Sequence, residues 1–369
     1  MYRINMVPEI VFGCGALNSL GKMIPEKSRV LIVSGSSAVK SGCVERIEKL
    51  LAPRETATFS GVLPEPTIQQ VDQVRTCMSE FKADAVVAVG GGSAMDVGKV
   101  CAAAAGSNVP TSEFFYGRAA LPEKGIFMAA LPTTAGTGAE VTPNGVFTDQ
   151  NSNIKQSIRG GTVLPQLALV DPELTLSCPA GVTAASGLDA LTQGIESYIS
   201  RNANNTTRAL AAQGVKLIDQ AIEKVYSEPQ NVEFRSDMSE GTMLGAMAFA
   251  ASGLGAVHGL AHPLGARLHL PHGLICGILL GKVLELNSAV CGGRLDELAG
   301  FLSYASGKAL IDRVYGLLEK FNISCKLSDY GLQEADLEWI VSNSRSGSMR
   351  ANPRTFSDEE LTALLREML

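Results

Sequence analysis

The chain has 369 residues, with 31 Lys and Arg against 37 Asp and Glu, a formal charge of −6 and a sequence pI of 5.4. That acidic balance excludes nucleic acid as an expected partner, because nucleic acid selects for a basic face. At 46% hydrophobic and 18% charged the composition is globular, and the length points to two domains rather than one.

The first segment, Met1 to Phe12, carries Arg3 and Glu9 and lacks the apolar core of a signal peptide. No apolar run is read as approaching the ~20 residues of a membrane span, so a cytoplasmic protein without a membrane partner is expected. Short β-type runs then alternate with helical patterns. Val30–Val33 leads into Gly35-Ser36-Ser37 and a helix pattern through Leu51. Ala85–Val89 leads into Gly90-Gly91-Gly92 and an alanine-rich helix through Ala105, and Phe127–Leu131 and Leu167–Val170 are further runs. Such alternation predicts βαβ units around a parallel sheet, and the unbroken apolar character of the runs suits strands covered on both faces. After Pro179 strand runs become rare and long helical patterns follow over Ala184–Ser200, Thr206–Val225 and Asp237–Ala251. The predicted architecture is an α/β domain over residues 1–180 followed by an all-α domain over 181–369. The eight cysteines are scattered with no C-x-x-C pair, as expected of free thiols in a reducing compartment rather than a disulfide frame.

Two loops have the composition of anion cradles. Val86 to Val89 runs into Gly90-Gly91-Gly92-Ser93, and a new helix starts there. Glycine lets the backbone approach a phosphate closely, and the helix offers unpaired N–H groups at its positive end. Ser93 adds a hydroxyl, and Asp96 is expected near the first turn, where a carboxylate suits the dipole. The run is not G-x-G-x-x-G, and a plain strand-to-helix turn would also use glycine. Leu131 to Glu140 contains Thr133-Thr134-Ala135-Gly136-Thr137-Gly138, either a second cradle or an ordinary polar loop. Two such loops at strand ends favour the cradle, since α/β sheets bind ligands beyond their strand carboxyl ends.

All four histidines, His258, His262, His269 and His272, fall within fifteen residues. His258 and His262 share a helix face, and Pro263 and Pro271 are expected to break the continuation so that His272 folds back towards them. Clustered imidazoles are what a transition-metal site requires. Asp189, Gln193 and Glu196 form a polar stripe opposite Leu188, Leu191, Ile195 and Ile199, read on its own as a solvated helix face.

Together these motifs resemble the iron-containing (group III) alcohol dehydrogenase family. The resemblance runs over nearly the whole chain. It takes in Phe12-Gly13-x-Gly15, Gly90 to Asp96, Thr133 to Thr142, Asp189, His258 to Gly265, Pro271-His272-Gly273 and Asn352-Pro353-Arg354. It implies a nucleotide domain, a helical metal and substrate domain, and an active site in the cleft between them. It implies metal ligands at Asp189, Gln193, His258 and His272, where the family usually has histidine in place of Gln193. An amide is the weaker ligand, so Gln193→His is expected to tighten binding of Fe2+ or Zn2+. Gly91, Gly92, Ser93 and Asp96 would hold the pyrophosphate, and Thr133, Thr134, Thr137, Thr142 and Lys155 the rest of the cofactor. His262 would stand beside the nicotinamide and pass the proton, while His269 has no implied role.

The implied reaction is hydride transfer between a nicotinamide and a small aldehyde or alcohol, with a divalent metal polarising the carbonyl. Where NAD-preferring members often carry aspartate, this chain has Gly35, followed by Ser36, Ser37 and Lys40. NADP(H) is therefore expected to be preferred, with NAD(H) a weaker second. Arg350 is either a partner for an anionic tail on the substrate or a solvent-facing arginine. A homo-oligomer is expected. The alternatives are a metal-independent NAD(P)H reductase of the same fold and a dehydroquinate synthase-like lyase.

Overall fold

A computed structural model describes residues 2–152 and 154–369. They divide into two compact units, one of Ile4–Cys178 with Gln230–Ser239, the other of residues 2–3, Pro179–Pro229 and Glu240–Leu369. The short run Gln230–Ser239 thus groups with the α/β unit, which no change of composition announces.

The α/β unit is built on six strands, β1 (Glu9–Phe12), β2 (Val30–Gly35), β3 (Thr56–Val62), β4 (Ala85–Gly90), β5 (Phe127–Pro132) and, last in the chain, Leu167–Val170. Between the last two lie β6 (Asn144–Asp149) and β7 (Ile154–Arg159), an antiparallel pair, so the sixth sheet strand is β8. The sheet order is β1-β8-β5-β4-β2-β3, with every pairing parallel. Side chains alternate across it. Leu31, Val33, Val86, Ala88, Met128 and Ala130 join one buried cluster, while Val30, Ile32, Val87, Val89, Ala129 and Leu131 join another. Helices α1 (Leu20–Met23), α2 (Ser36–Lys40), α3 (Cys43–Leu51), α4 (Ile68–Phe81), α5 (Gly92–Ala103) and α6 (Thr111–Phe115) complete the unit.

The strands β1, β3, β6 and β7 have no counterpart among the predicted runs. β1 spans only four residues, and β3 is a half-exposed edge strand of sequence TATFSGV whose pattern is not apolar. The single helix expected through Leu51 is two, because Gly42 takes a left-handed conformation (φ 74) between α2 and α3. The Phe12-Gly13-x-Gly15 motif turns the chain out of β1. Gly13 and Gly15 both have positive φ (134 and 77), and the buried Asp171 carboxylate accepts the Gly15 and Leu17 amides.

The helical unit contains α7 (Ala180–Ile199), α8 (Asn205–Ser227), most of α9 (Val232–Ser252), α10 (Ala256–Leu268), α11 (His272–Phe301), α12 (Gly307–Lys320), α13 (Leu337–Asn343), α14 (Gly347–Ala351) and α15 (Asp358–Arg366). Pro263 does not break the chain as expected: α10 runs through it and ends at His269, whose left-handed backbone (φ 54) forms the C-cap. α11 also departs from expectation, being long and apolar enough to cross a membrane by length and mean hydropathy (1.7). Its most apolar window is 61% buried within the fold, as in a core helix.

Candidate functional site

The parallel sheet brings three loops to one edge. In register, Ser34 pairs with Val89, and Gly90 with Pro132, so β2, β4 and β5 end side by side. Gly90 has φ 151, and a Cβ there would lie 2.8 Å from Ala94 Cβ. A Cβ on Gly92 would lie 2.8 Å from Thr137 Oγ1, and one on Gly91 3.5 Å from Thr134 Oγ1. The glycines therefore let the threonine loop close against the N-terminus of α5, whose N-cap is Gly91 and whose first residue is Gly92. Ser93 is half-buried beside them, and Thr133 donates its amide to Gly90 O at 2.9 Å. The start of α5, with its unpaired backbone N–H groups, and the hydroxyl-bearing threonine loop are thereby held side by side, a pairing that suits the pyrophosphate of a dinucleotide. At the end of β2, Gly35 caps α2, and Ser36, Ser37 and Lys40 are exposed.

Asp96 lies just past the first turn, near it as expected, but its carboxylate is taken up by partners other than the helix N-terminus. It is the fifth residue of α5, and its carboxylate takes the Val146 amide at 2.9 Å and the Lys99 ammonium at 3.0 Å. Lys99 is itself 1% exposed. Its ammonium donates to the carbonyls of Ala139 (2.8 Å) and Asn144 and lies 3.3 Å from Thr142 Oγ1. Thr142, at 2% exposure, thus faces Lys99. Lys155, on β7, pairs with Glu65. Lys99 is the residue of this site that lay outside the sequence expectation. A buried cation binding carbonyls and a carboxylate holds the threonine loop and the start of the β6–β7 hairpin to α5.

In the helical unit the polar stripe of α7 is not solvated, contrary to expectation. Asp189, Gln193 and Glu196 are 3%, 5% and 2% exposed. Glycines on neighbouring surfaces explain the burial. A Cβ on Gly194 would lie 2.6 Å from Val215 of α8, one on Gly277 2.7 Å from Leu188, and one on Gly273 2.1 Å from Ala185 O. α8 and α11 therefore press closely on α7 and cover both its faces.

Glu196 organises the start of α10. Its Oε1 accepts the Val257 amide at 2.7 Å and its Oε2 lies 2.6 Å from His258 Nδ1. A carboxylate only accepts, so Nδ1 carries a proton, and Nε2 is the nitrogen turned away from Glu196. Nε2 lies 3.3 Å from Asp189 Oδ1, an oxygen buried without a hydrogen-bond donor. Cys276 Sγ is 3.9 Å from His258 Nε2 and 3.6 Å from His272 Nε2. One ligand atom from each of Asp189, His258, His272 and Cys276 lies within 4.8 Å of the others. His262 is half-buried, with its ring stacked on His272 at 5.2 Å between centroids and 22° between planes. His269, the fourth histidine, caps α10 and is exposed.

Acceptor atoms converging in a buried space call for a cation. Burial pushes the His258 proton off, but Cys276, Asp189 and Glu196 outweigh it and raise its pKa well above the ordinary value. Burial pushes the Cys276 thiol up to about 12. The donor set of carboxylate, two imidazoles and thiol is that of a divalent transition-metal site, so the residues fit the metal. Cys276 and Glu196 were not anticipated as members of this cluster. Cys276 follows His272 by four residues and Glu196 follows Asp189 by seven, helical spacings that a search for companions of each ligand would have found.

An anion cradle on a parallel sheet and a cation site among helices, in one chain, are the equipment of a dinucleotide- and metal-dependent oxidoreductase. Residues 8–172 match the family described as iron-containing alcohol dehydrogenase, and residues 183–369 match the Fe-containing alcohol dehydrogenase family, C-terminal. Among known proteins the chain is 32% identical to long-chain-alcohol dehydrogenase 1 of Geobacillus thermodenitrificans over 356 residues, covering 92% of this chain and 89% of that one. It is 31% identical to NADPH-dependent butanol dehydrogenase of Clostridium saccharobutylicum, covering 98% and 96%. Among solved structures it is similar to sulfoacetaldehyde reductase from Bifidobacterium kashiwanohense in complex with NAD+, at TM-score 0.95 and 28% identity, covering 100% and 98%. The chain belongs to the iron-containing alcohol dehydrogenase family. It is an oxidoreductase of alcohols and aldehydes, and the family implies NAD(H) and a metal. The family match decides against the synthase-like lyase.

Proposed function

We propose that the enzyme interconverts a short alcohol and its aldehyde with NADP(H) in preference to NAD(H), using a divalent metal, Fe2+ or Zn2+. The observation that carries the reading is the convergence of Asp189, His258 and His272 within 4.8 Å. Gln193, one turn after Asp189 on α7, is the position the family resemblance offers for a fourth ligand. Bound there, the metal supplies Lewis-acid polarisation of the substrate oxygen, worth several kcal/mol of transition-state stabilisation. The chain's residues do the rest. Glu196 holds His258 in one tautomer. Gly91, Gly92 and Ser93 receive the pyrophosphate at the N-terminus of α5. Thr133, Thr134 and Thr137 line the cradle as hydroxyl donors. His262, half-buried beside His272, carries the proton between the site and solvent.

The absence of a carboxylate from Gly35 to Lys40 supports NADPH, since no like charge meets a 2′-phosphate. The name of the butanol dehydrogenase relative points the same way, and the NAD+ complex of the sulfoacetaldehyde reductase points the other. That reductase's name also supports an anionic tail on the substrate, to be met by Arg350. The deciding experiment is a scan of short neutral and anionic aldehydes with NADH and NADPH, followed by absorbance, before and after chelation and metal restoration. Turnover that is lost on chelation and restored by metal is expected. Full activity in verified metal-free protein would establish the metal-independent reductase instead.

A further inference from the structure

We propose that the Cys276 thiolate, rather than the Gln193 amide, completes the metal centre with Asp189, His258 and His272, and that it makes the centre selective for Zn2+ over Fe2+. The proposal rests on the metal-dependent reading above and adds the identity of the fourth ligand and of the metal.

Geometry is the first argument. A tetrahedral zinc with bonds of about 2.0–2.1 Å to nitrogen and oxygen and about 2.3 Å to sulfur has N···O edges of about 3.3 Å and N···S edges of about 3.6 Å. The structure has 3.3 Å from His258 Nε2 to Asp189 Oδ1, and 3.6 and 3.9 Å from Cys276 Sγ to His272 Nε2 and His258 Nε2. Cys276 is fully buried and lies one turn after His272, so α11 presents both donors from one face.

Charge is the second argument. Asp189 and a Cys276 thiolate put two negative charges directly against a divalent cation, whereas an amide in place of the thiolate leaves the second charge to Glu196, on the far side of the His258 ring. Attraction between opposite charges falls with distance, so the direct thiolate holds the cation more strongly. The thiol proton passes to bulk buffer when the metal enters, and no redox change is involved. Ligand softness is the third argument. Thiolate favours zinc, while an amide oxygen is a harder and weaker donor.

The test is reconstitution of the full chain with Co2+, whose thiolate bond gives a near-ultraviolet sulfur-to-cobalt charge-transfer band. The band is expected in the wild type, unchanged in Gln193→Ala and absent in Cys276→Ser. Competition between Zn2+ and Fe2+ is expected to show the wild-type preference for zinc reduced about tenfold or more in Cys276→Ser. Zinc X-ray absorption on the wild-type protein, which depends on no variant's folding, is expected to show one sulfur at about 2.3 Å. A cobalt site with visible ligand-field bands but no charge-transfer band, or a zinc shell of nitrogen and oxygen alone, would overturn the thiolate and leave the metal-dependent reading standing. A charge-transfer band that survives Cys276→Ser would assign the sulfur elsewhere and also overturn the proposal. Failure of the wild type to bind any of the three metals would overturn both.

Discussion

Gly35 closes β2 with an ordinary extended backbone (φ −91), so aspartate is allowed there by conformation. Its Cβ would lie 3.2 Å from Val62 O, and that carbonyl must give by a few tenths of an ångström. Gly35→Asp is expected to lower the NADPH-to-NADH ratio of kcat/KM about tenfold, equivalent to about 1.4 kcal/mol. An unchanged ratio would place cofactor choice outside this loop. Arg350 is exposed at the end of α14, with Nη1 3.3 Å from Arg345 O. Exposed ion pairs contribute up to about 1 kcal/mol, so Arg350→Ala is expected to raise KM for anionic aldehydes roughly two- to fivefold and leave neutral ones unchanged. An equal effect on both classes would make it a general surface residue. Glu140, in the threonine loop, is 2% exposed, and burial raises its carboxyl to about 7. Its folded pKa lies above the unfolded value, so the folded state holds the extra proton between about pH 4.5 and 7. Stability from this group is full below that window and falls as pH rises through it. Glu140→Gln is expected to flatten the fall in urea midpoint between pH 5 and 8 and to stabilise the protein by at most about 3 kcal/mol at pH 8. A wild-type midpoint that rises with pH across the window, and to the same extent in the variant, would contradict it.

Helices and loops carry their chemistry through close approach. α11 starts on α7 because residue 273 has no side chain, and the same turn of α11 carries His272 and Cys276. Gly273→Ala places a Cβ 2.1 Å from a backbone carbonyl that cannot rotate away. The variant is expected to lose about 1–3 kcal/mol of stability and at least tenfold in metal affinity. Calorimetric titration and thermal unfolding measure the two, and wild-type affinity would show that α11 can shift without moving its ligands. This contact also explains what was legible beforehand. Val30–Val33 and Ala85–Val89 were readable as central strands because both faces are covered. Asp189, His258 and His272 were readable through clustering and motif. The burial of Glu196 was not, because it depends on Gly194, Gly273 and Gly277 admitting partners, and a single chain's pattern does not say which helices those partners are. Cys276 was obscured among seven other cysteines, and Lys99 looked like any helix lysine until its carbonyls were in place.

At the scale of the whole chain the two ligand sites belong to different compact units, so ligand linkage separates them. A metal at one hundred times its dissociation constant adds about 2.7 kcal/mol to the unit that binds it. Chelation is expected to lower the unfolding midpoint by roughly 5–10 °C, with amides of α7, α10 and α11 losing exchange protection and those of β4 and α5 unchanged. Uniform loss across both units would show that they unfold as one. The Lys99 hub has its own consequence, in time rather than energy. The Ala139 and Asn144 carbonyls and the Asp96 carboxylate surround one ammonium that water does not reach, and Asp96 holds the Val146 amide in turn. The Thr142 hydroxyl lies 3.3 Å from the same ammonium, while Gly91, Gly92, Thr133, Thr134 and Thr137 are not among its partners. The Val146 amide is therefore expected to keep the same exchange protection with and without NADP(H), and a loss of protection on cofactor release would show that the loop behind it refolds.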